Sequence, residues 1–398
     1  MMDIPVKFIH CADLHLGSKF VGVLSDRPEL GKMLISSTFE ALDRIVDKAK
    51  EENVNFVLFS GDVFDESNET PFTRNYFAES LKRIGVPCYI VYGNHDFRRK
   101  WEDSIPLPDN AFVFPTEITS VYYPKESPEV EIIGVSYSKA NSAKNHALDF
   151  MGSEDLYTIG MMHCDVDIPN SPYSPCSTAD LKGRKVDYWA LGHVHKGGIL
   201  SKEPYIVYPG NTQGRNHKET GERGAYIVTV SNGRVIKMQF FNTQSIVWSD
   251  AEVSITGVKN ITDLMDQISS KVTKGSIVRV TVTGTGILDK NIRMNRSDII
   301  ELIEARTGCF CSSMDVKSSP EVDFEKRIEG SDFIAAVLEY GKRLSILDKG
   351  ELINLICKTG GSAYLRSYYE EMSADELRQI IDDSVKYIIE KLSEVDVE

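Results

Sequence analysis

Five short strand-like runs, each closing on a polar loop, organise the first half of the chain. Lys7-Phe8-Ile9-His10 runs into Asp13-Leu14-His15, and Phe56-Val57-Leu58-Phe59 into Gly61-Asp62. Cys88-Tyr89-Ile90-Val91-Tyr92 closes on Gly93-Asn94-His95-Asp96. Tyr157-Thr158-Ile159-Gly160-Met161-Met162 closes on His163, and Tyr188-Trp189-Ala190-Leu191 on Gly192-His193-Val194-His195. Short apolar runs bounded by turn-forming residues predict buried strands. Between them the period lengthens. Leu34, Phe39, Leu42, Ile45, Val46 and Ala49 recur at helical spacing within 30–50. A second helix over 71–84 opens on Pro71, where a missing amide costs nothing. Strand, helix, strand in alternation predicts a layered α/β fold.

From Val186 the pattern shifts to short strands and turns: 205–208, 225–230, a Ser231-Asn232-Gly233 turn, then 235–241. The first domain is expected to span 1–244. A smaller α/β domain without an Asp/His cluster is expected over 245–318, reading strand (253–255), helix (261–272), strand (277–283), helix (298–305), strand (310–314). Residues 319–398 read as helical. In the last helix Ser373 and Glu376 form a capping box, and Leu377, Ile380, Ile381, Ile388 and Leu392 line one face. That stripe covers either the chain's own core or a partner.

A length of 398 residues suits two or three domains. No basic segment followed by an apolar stretch opens the chain, and no apolar run approaches the ~20 residues that span a bilayer, so a cytoplasmic protein is expected. Seven cysteines without paired spacing read as reduced thiols, with Cys309 and Cys311 as buried hydrophobes rather than half of a metal site. The net charge of −14 argues against tight unaided binding to nucleic acid. Much of that charge is local. Residues 361–398 hold four Lys or Arg against ten Asp or Glu, and bound cations would add positive charge where a phosphate must come.

The five loops carry five of the eight histidines together with Asp and Asn, a donor set that suits Mn²⁺, Fe²⁺ or Zn²⁺. A spacing of two sends both members of Asp13/His15, and of His193/His195, to one side, whereas Cys164 should face away from His163. Asp13, His15, Asp62, Asn94, His163, His193 and His195 are more candidate ligands than one ion needs. The surplus predicts two ions, with Asp62 as the bridge. Such a pair suits phosphate ester hydrolysis. His95 would protonate the leaving oxygen, with Asp96 fixing its orientation. Asp65 reads as a supporting or helix-capping residue, and His10, His146, His217 and Cys11 as structural. Arg98-Arg99-Lys100 and the 213–218 segment with Arg215 would either meet substrate phosphates or form solvated faces.

These motifs, Asp-x-His, Gly-Asp-x-x-Asp, Gly-Asn-His-Asp, His and Gly-His-x-His in order, resemble the calcineurin-like metallophosphoesterase superfamily. His10 to Gly17, Ala190 to Lys196, Tyr208-Pro209-Gly210-Asn211 and Gln213-Gly214-Arg215 are similar to the SbcD and YhaO type of DNA double-strand-break repair exonuclease. The resemblance implies a layered β-sandwich flanked by helices over about 6–245, a capping domain and a helical tail. It implies one ion held by Asp13, His15, Asp62 and His195, and another by Asp62, Asn94, His163 and His193, with Mn²⁺ preferred and His95 catalytic. It further implies DNA as substrate, an SMC-like ATPase on the C-terminal helices that could supply the missing basic surface, and homodimerisation through first-domain helices. Asp65 stands where some relatives carry a second functional histidine. A phosphatase or small-molecule phosphodiesterase with the same metals, and a noncatalytic clamp on DNA ends or an ATPase, are the competing readings.

Overall fold

The computed structural model describes residues 5–18, 28–65, 69–321, 333–358 and 365–395. The chain divides into two compact units, one of residues 1–250 with 275–278, the other of 251–274 with 279–398. Most of the segment expected as capping domain, 251–274 and 279–318, is thus grouped with the tail segment.

The first unit is built on two six-stranded sheets. In one, β1 (Val6–Cys11), β2 (Phe56–Ser60), β3 (Cys88–Val91) and β4 (Ala111–Val113) run parallel, and β11 (Gly224–Ser231) and β12 (Arg234–Asn242) extend it antiparallel beside β1. The other has the order β5 (Thr119–Tyr123), β6 (Val130–Gly134), β7 (Tyr157–His163), β8 (Tyr188–Gly192), β10 (Tyr205–Tyr208), β9 (Gly198–Lys202). The late strands thus do not finish a single sheet: β10 joins one, and β11 and β12 return to the other.

Alternation along each strand explains the layering, because successive side chains point to opposite faces. Phe8, Phe56, Leu58, Val91, Ile159, Met161, Tyr188 and Ala190 fill the seam between the sheets. The intervening Ile9, Val57, Phe59 and Ile90 pack outward with α1 (Pro28–Glu51) and α2 (Pro71–Ile84), through Leu42, Ile45, Val46, Phe77 and Leu81. On the other sheet Met162, Trp189 and Leu191 pack outward with Leu181 of α3 (Thr178–Lys182). Each fully buried Phe or Leu contributes about 1.5–3 kcal/mol, so burial on both faces makes the central strands rigid supports for the loops they carry. The six apolar positions expected to face the core from α1 are all buried. At the start of α2, Thr70 accepts from the Thr73 amide ahead of Pro71.

Most of a three-stranded sheet falls in the second unit, β13 (Trp248–Ser254) and β14 (Ile277–Thr283), whose first residues are counted with the first unit, and β16 (Phe310–Val316), with α4 (Ile261–Ser269), α5 (Asp289–Met294) and α6 (Arg296–Thr307). A two-residue pair, β15 (Thr285–Gly286) with β17 (Ser319–Pro320), lies beyond it. Helices follow at Phe333–Ser345, Lys349–Lys358, Arg366–Glu371 and Ala374–Val395. Ser373 and Glu376 exchange their capping bonds as expected. The buried stripe of the last helix differs from the expected one. Leu377, Ile381 and Ile389 are buried whereas Ile380 and Ile388 are 39% and 43% exposed, and the Leu392 side chain lies outside the described residues. A spacing of four, rather than a wider fan, faces the neighbouring helices. Among the described residues no helix is long and apolar enough to cross a membrane.

Candidate metal centre

All seven candidate ligands stand at the carboxyl ends of strands on the two sheets. The loop after β1 carries Asp13 and His15, that after β2 carries Asp62, and that after β3 carries Asn94. His163 is the last residue of β7, and His193 and His195 follow β8. The loops are locked together through their backbones: the Asp13 amide donates to the Gly61 carbonyl at 3.0 Å and the His15 amide to the Asp62 carbonyl at 3.0 Å. The His193 amide donates to the Asp13 carboxylate at 3.1 Å, which joins the two sheets.

This crossing is held in uncommon backbone. Asp13, His15, Asp62 and His193 have φ of 53°, 45°, 51° and 100°. Left-handed values are rare for residues with a Cβ, and such strain gathers where function demands a fixed geometry. Glycines make room for the rings. A Cβ on Gly93 would lie 2.2 Å from Asp62 Oδ1 and 2.7 Å from His163 Nε2, and one on Gly192 would lie 1.8 Å from the Ser60 carbonyl oxygen.

Among the described residues three groups of donors result, one of them His15 with Asp65 and His95, and the other two made of the candidate ligands alone. Asp13, His15 and His195 form one, with the His15 and His195 Nε2 atoms 3.2 Å apart. Asp62, His163 and His193 form the other. There His163 Nε2 lies 3.2 Å from Asp62 Oδ2 and 3.1 Å from Asn94 Oδ1, and His193 Nδ1 lies 3.2 Å from the same Asn94 oxygen. Asp62 reaches both groups, with Oδ2 at 3.9 Å from His15 Nε2.

The donor chemistry fits cations. Each imidazole has its outer nitrogen beside an acceptor: His15 Nδ1 at 2.6 Å from Asp65, His195 Nδ1 at 2.7 Å from Glu219, His163 Nδ1 at 3.0 Å from the Ser60 carbonyl, and His193 Nε2 at 3.4 Å from Asp165. Outer acceptors of this kind fix the tautomer with the proton outside and the lone pair inside. The inward nitrogens then face one another, a carboxylate and an amide oxygen, with no donor among them. Only a cation or a proton relieves that convergence. Burial pushes Asp62 up, but His163, His15 and His95 outweigh it and hold its carboxyl far below the usual range. Burial likewise pulls His163 down, and Asp62 reverses this to lift it to about 9. A proton thus sits where a cation would.

The outer carboxylates stay ionised. Burial pushes Glu219 up, yet His195 and Arg215 bring it to about 2. For Asp65, burial is outweighed by His15, Arg215 and Ser18, so its carboxyl lies well below its ordinary value. Asp165 is lowered in the same way, against burial, by His193 and Ser171.

His95 stands at the rim with its side chain 50% exposed, Nδ1 3.3 Å from Asp65 Oδ1 and its ring 5.2 Å from that of His15. The carboxylate beside it is therefore Asp65, not Asp96 as expected. Asp96 is buried and accepts from the Val63 amide at 2.7 Å and the Gly93 amide at 2.6 Å, tying the loops after β2 and β3 together. Burial and the Asp62 charge push its carboxyl well up. Arg215 also has a different setting from that of a residue facing substrate. Its Nη1 lies 3.2 Å from Ser18 Oγ and 3.5 Å from Asp65, among the groups that hold the histidines. Arg98 is exposed, its guanidinium 5.5 Å from the Phe97 ring. His10 is a buried structural residue between the Tyr188 hydroxyl and the Leu191 carbonyl, and burial lowers it to about 3.

Glu219 and Asp165 were not among the residues expected at the site. Asp165 carried a readable signal, since it sits two residues after His163 and shares its side of an extended segment. Glu219 carried none, because its partner His195 lies 24 residues away.

The family model for calcineurin-like phosphoesterase matches residues 6–197. The chain is 37% identical over 301 residues to the uncharacterized metallophosphoesterase YhaO of Bacillus subtilis, covering 71% of this chain and 73% of that protein. It is 23% identical over 402 residues to the DNA double-strand break repair protein Mre11 of Methanosarcina acetivorans, covering 96% of this chain and 62% of that longer relative. It is 24% identical over 345 residues to Mre11 of Methanocaldococcus jannaschii, covering 78% and 87%. With a strand-end cradle suited to a dimetal centre and a relative of this identity and coverage, the chain belongs to the calcineurin-like phosphoesterase family.

Proposed function

We infer that the protein is a Mn²⁺-dependent DNA nuclease, an exonuclease with endonuclease activity. The observation that carries this reading is the cradle of inward-facing acceptors with His95 at its rim, and the kinship with Mre11 proteins supports DNA as the substrate. Asp13, His15, Asp62 and His195 would hold one cation and Asp62, Asn94, His163 and His193 the other. When bound, such a pair supplies Lewis acidity that activates water and neutralises phosphoryl charge. The chain's own residues do the rest. Asp65, Glu219, Asp165 and the Ser60 carbonyl orient the four imidazoles. His95, steadied by Asp65 at Nδ1, delivers a proton to the departing oxygen, a role worth about 10²–10⁴ in rate.

The C-terminal helices carry an apolar groove of about 610 Å³ lined by Phe333, Tyr340, Ile380 and Ile388 among others. It supports docking of an SMC-like ATPase, which would contribute the basic surface. On α2, Phe72 is 65% exposed and meets Phe39 edge to face and Tyr76 at a tilt, which supports a homodimer through first-domain helices.

The test is digestion of duplex DNA by the purified chain with Mn²⁺, with chelator, and with the His95→Ala variant. Loss of DNA only in the first supports the reading; equal loss in all three ends it. The acidity of the chain favours a second reading, a phosphatase or small-molecule phosphodiesterase. Rapid turnover of a chromogenic monoester with intact DNA would select it.

A further inference from the structure

Beside His195 a cavity of about 480 Å³ opens between the loop after β8 and strands β11 and β12. One wall is aromatic. Tyr226 and Phe240 are half-buried, with ring centroids 5.4 Å apart in an edge-to-face pair. The mouth is cationic: Lys196 and Lys218 line it, both are exposed, and among the described residues neither has an ion-pair partner. Behind them Arg223 is 7% exposed. Its Nη atoms donate to the His195, Thr220 and Asn211 oxygens, while its Nε–H is buried without a partner. Two carboxylates share the lining, Glu219, held by His195 and Asn211, and the exposed Glu222, which accepts from the Asn242 amide and keeps its charge, so Lys196, Lys218 and Arg223 outnumber them by one.

An aromatic wall, two uncommitted ammonium groups and a buried guanidinium with a spare donor form a combination that stacks a base and pairs a phosphate. We propose that this cavity is a nucleotide subsite, in which Tyr226 and Phe240 carry the base of the nucleotide next to the scissile phosphate and Lys196 and Lys218 hold its flanking phosphate. The proposal deepens the nuclease reading and rests on it for the identity of the substrate, but its contacts belong to the protein alone. It differs from simple charge attraction because it requires the base. Aromatic stacking is sequence-tolerant, so the subsite would grip any nucleotide without selecting a base.

The test is calorimetric binding of dAMP and of deoxyribose 5-phosphate to the Mn²⁺-loaded full-length chain, repeated in chelator. The phosphate is common to both probes, so the ratio of affinities reports the base. Wild type should bind dAMP about tenfold more tightly in both conditions. Tyr226→Leu should abolish that ratio while Tyr226→Phe keeps it. Lys218→Ser should weaken both probes together, by a few-fold, and flatten the salt dependence. Circular dichroism melts establish that each variant is folded, and Phe240→Leu replaces Tyr226→Leu if the latter is not. Equal affinity for the two probes, no binding of either, or an unchanged ratio in the leucine variant would overturn the proposal. If the base-dependent ratio holds but the wild type leaves duplex DNA intact with Mn²⁺, the nuclease reading fails and the subsite stands.

Discussion

Replacing Glu219 by Gln changes one oxygen for an amide in the support of His195, and the structure sets the size of the effect. In the native protein Oε1 accepts from His195 Nδ1 at 2.7 Å, and Oε2 accepts from Asn211 Nδ2 at 2.8 Å and the Arg215 amide at 2.7 Å. Glutamine can satisfy one side only. If its oxygen serves Asn211 and Arg215, its NH₂ faces His195 Nδ1 and drives the ring proton to Nε2, the nitrogen that points at the centre. If its oxygen serves His195, two buried donors meet a third, at about 1–3 kcal/mol for each group left unsatisfied. The first route leaves fewer buried donors unpaired and is the one taken, and the misplaced ring proton costs about 1.4–2.7 kcal/mol at this ligand, which is a 10–100-fold loss of affinity for the cation that His195 would hold. Calorimetric titration of the metal-stripped protein should show one ion weakened by that factor and the other nearly unchanged. Two ions binding as in wild type would refute the view that Glu219 sets the tautomer. The same carboxylate governs acid stability. Its folded value, about 2, lies below its ordinary 4.5, so its stabilisation is complete above about 4.5 and is lost as pH falls towards 2. In chelator the wild type should lose melting temperature between pH 5 and 3 more steeply than Glu219→Gln.

Three further outcomes follow from the same geometry. His95→Ala should lower DNA cleavage by about 10²–10⁴ while metal content by mass spectrometry stays at two ions, because His95 supports the reaction from the rim; a variant that loses its metal would contradict this. Gly93→Ala places a Cβ 2.2 Å from Asp62 Oδ1, so it should cost about 1–3 kcal/mol in denaturant unfolding and abolish loading of the second cation; wild-type stability with full loading would exclude so close an approach. His163 stands near 9 without metal, so cation binding at pH 7 must displace its proton. Affinity should rise about tenfold per pH unit below 9 and level off above it. Calorimetry in buffers of different ionisation enthalpy should register about one proton released; no release would show that the ring is already neutral.

Much of this site was legible in the sequence, for a physical reason. A strand buried on both faces reads as an unbroken apolar run, and the first polar residues after it mark where the chain leaves the sheet. Asp13, Asp62, Asn94, His163 and His193 announced themselves in that way. What adjacency in sequence could not supply was adjacency in space. Asp96 neighbours His95 in the chain, yet its carboxylate turns to the Val63 and Gly93 amides, and the ring instead meets Asp65, thirty residues away. Glu219 hid at the end of a stretch that reads as basic, directly after Arg215, His217 and Lys218. The strands β4 and β5 escaped notice because they are only partly buried, so no apolar run marks them. In the last helix the buried line Leu377, Ile381, Ile389 was obscured by Ile380 and Ile388 beside it.

The arrangement of the ligands across two sheets has a mechanical consequence. Asp13, His15, Asp62 and Asn94 belong to one sheet, and His163, His193 and His195 to the other, so a cation taken up there acts as a rivet through the sandwich. The loaded fold should resist shearing of its layers, and its amides along β2, β7 and β8 should exchange with deuterium far more slowly once metal is added. The same atoms that prepare the cleavage chemistry would then also decide how firmly the two halves of the domain are bolted together.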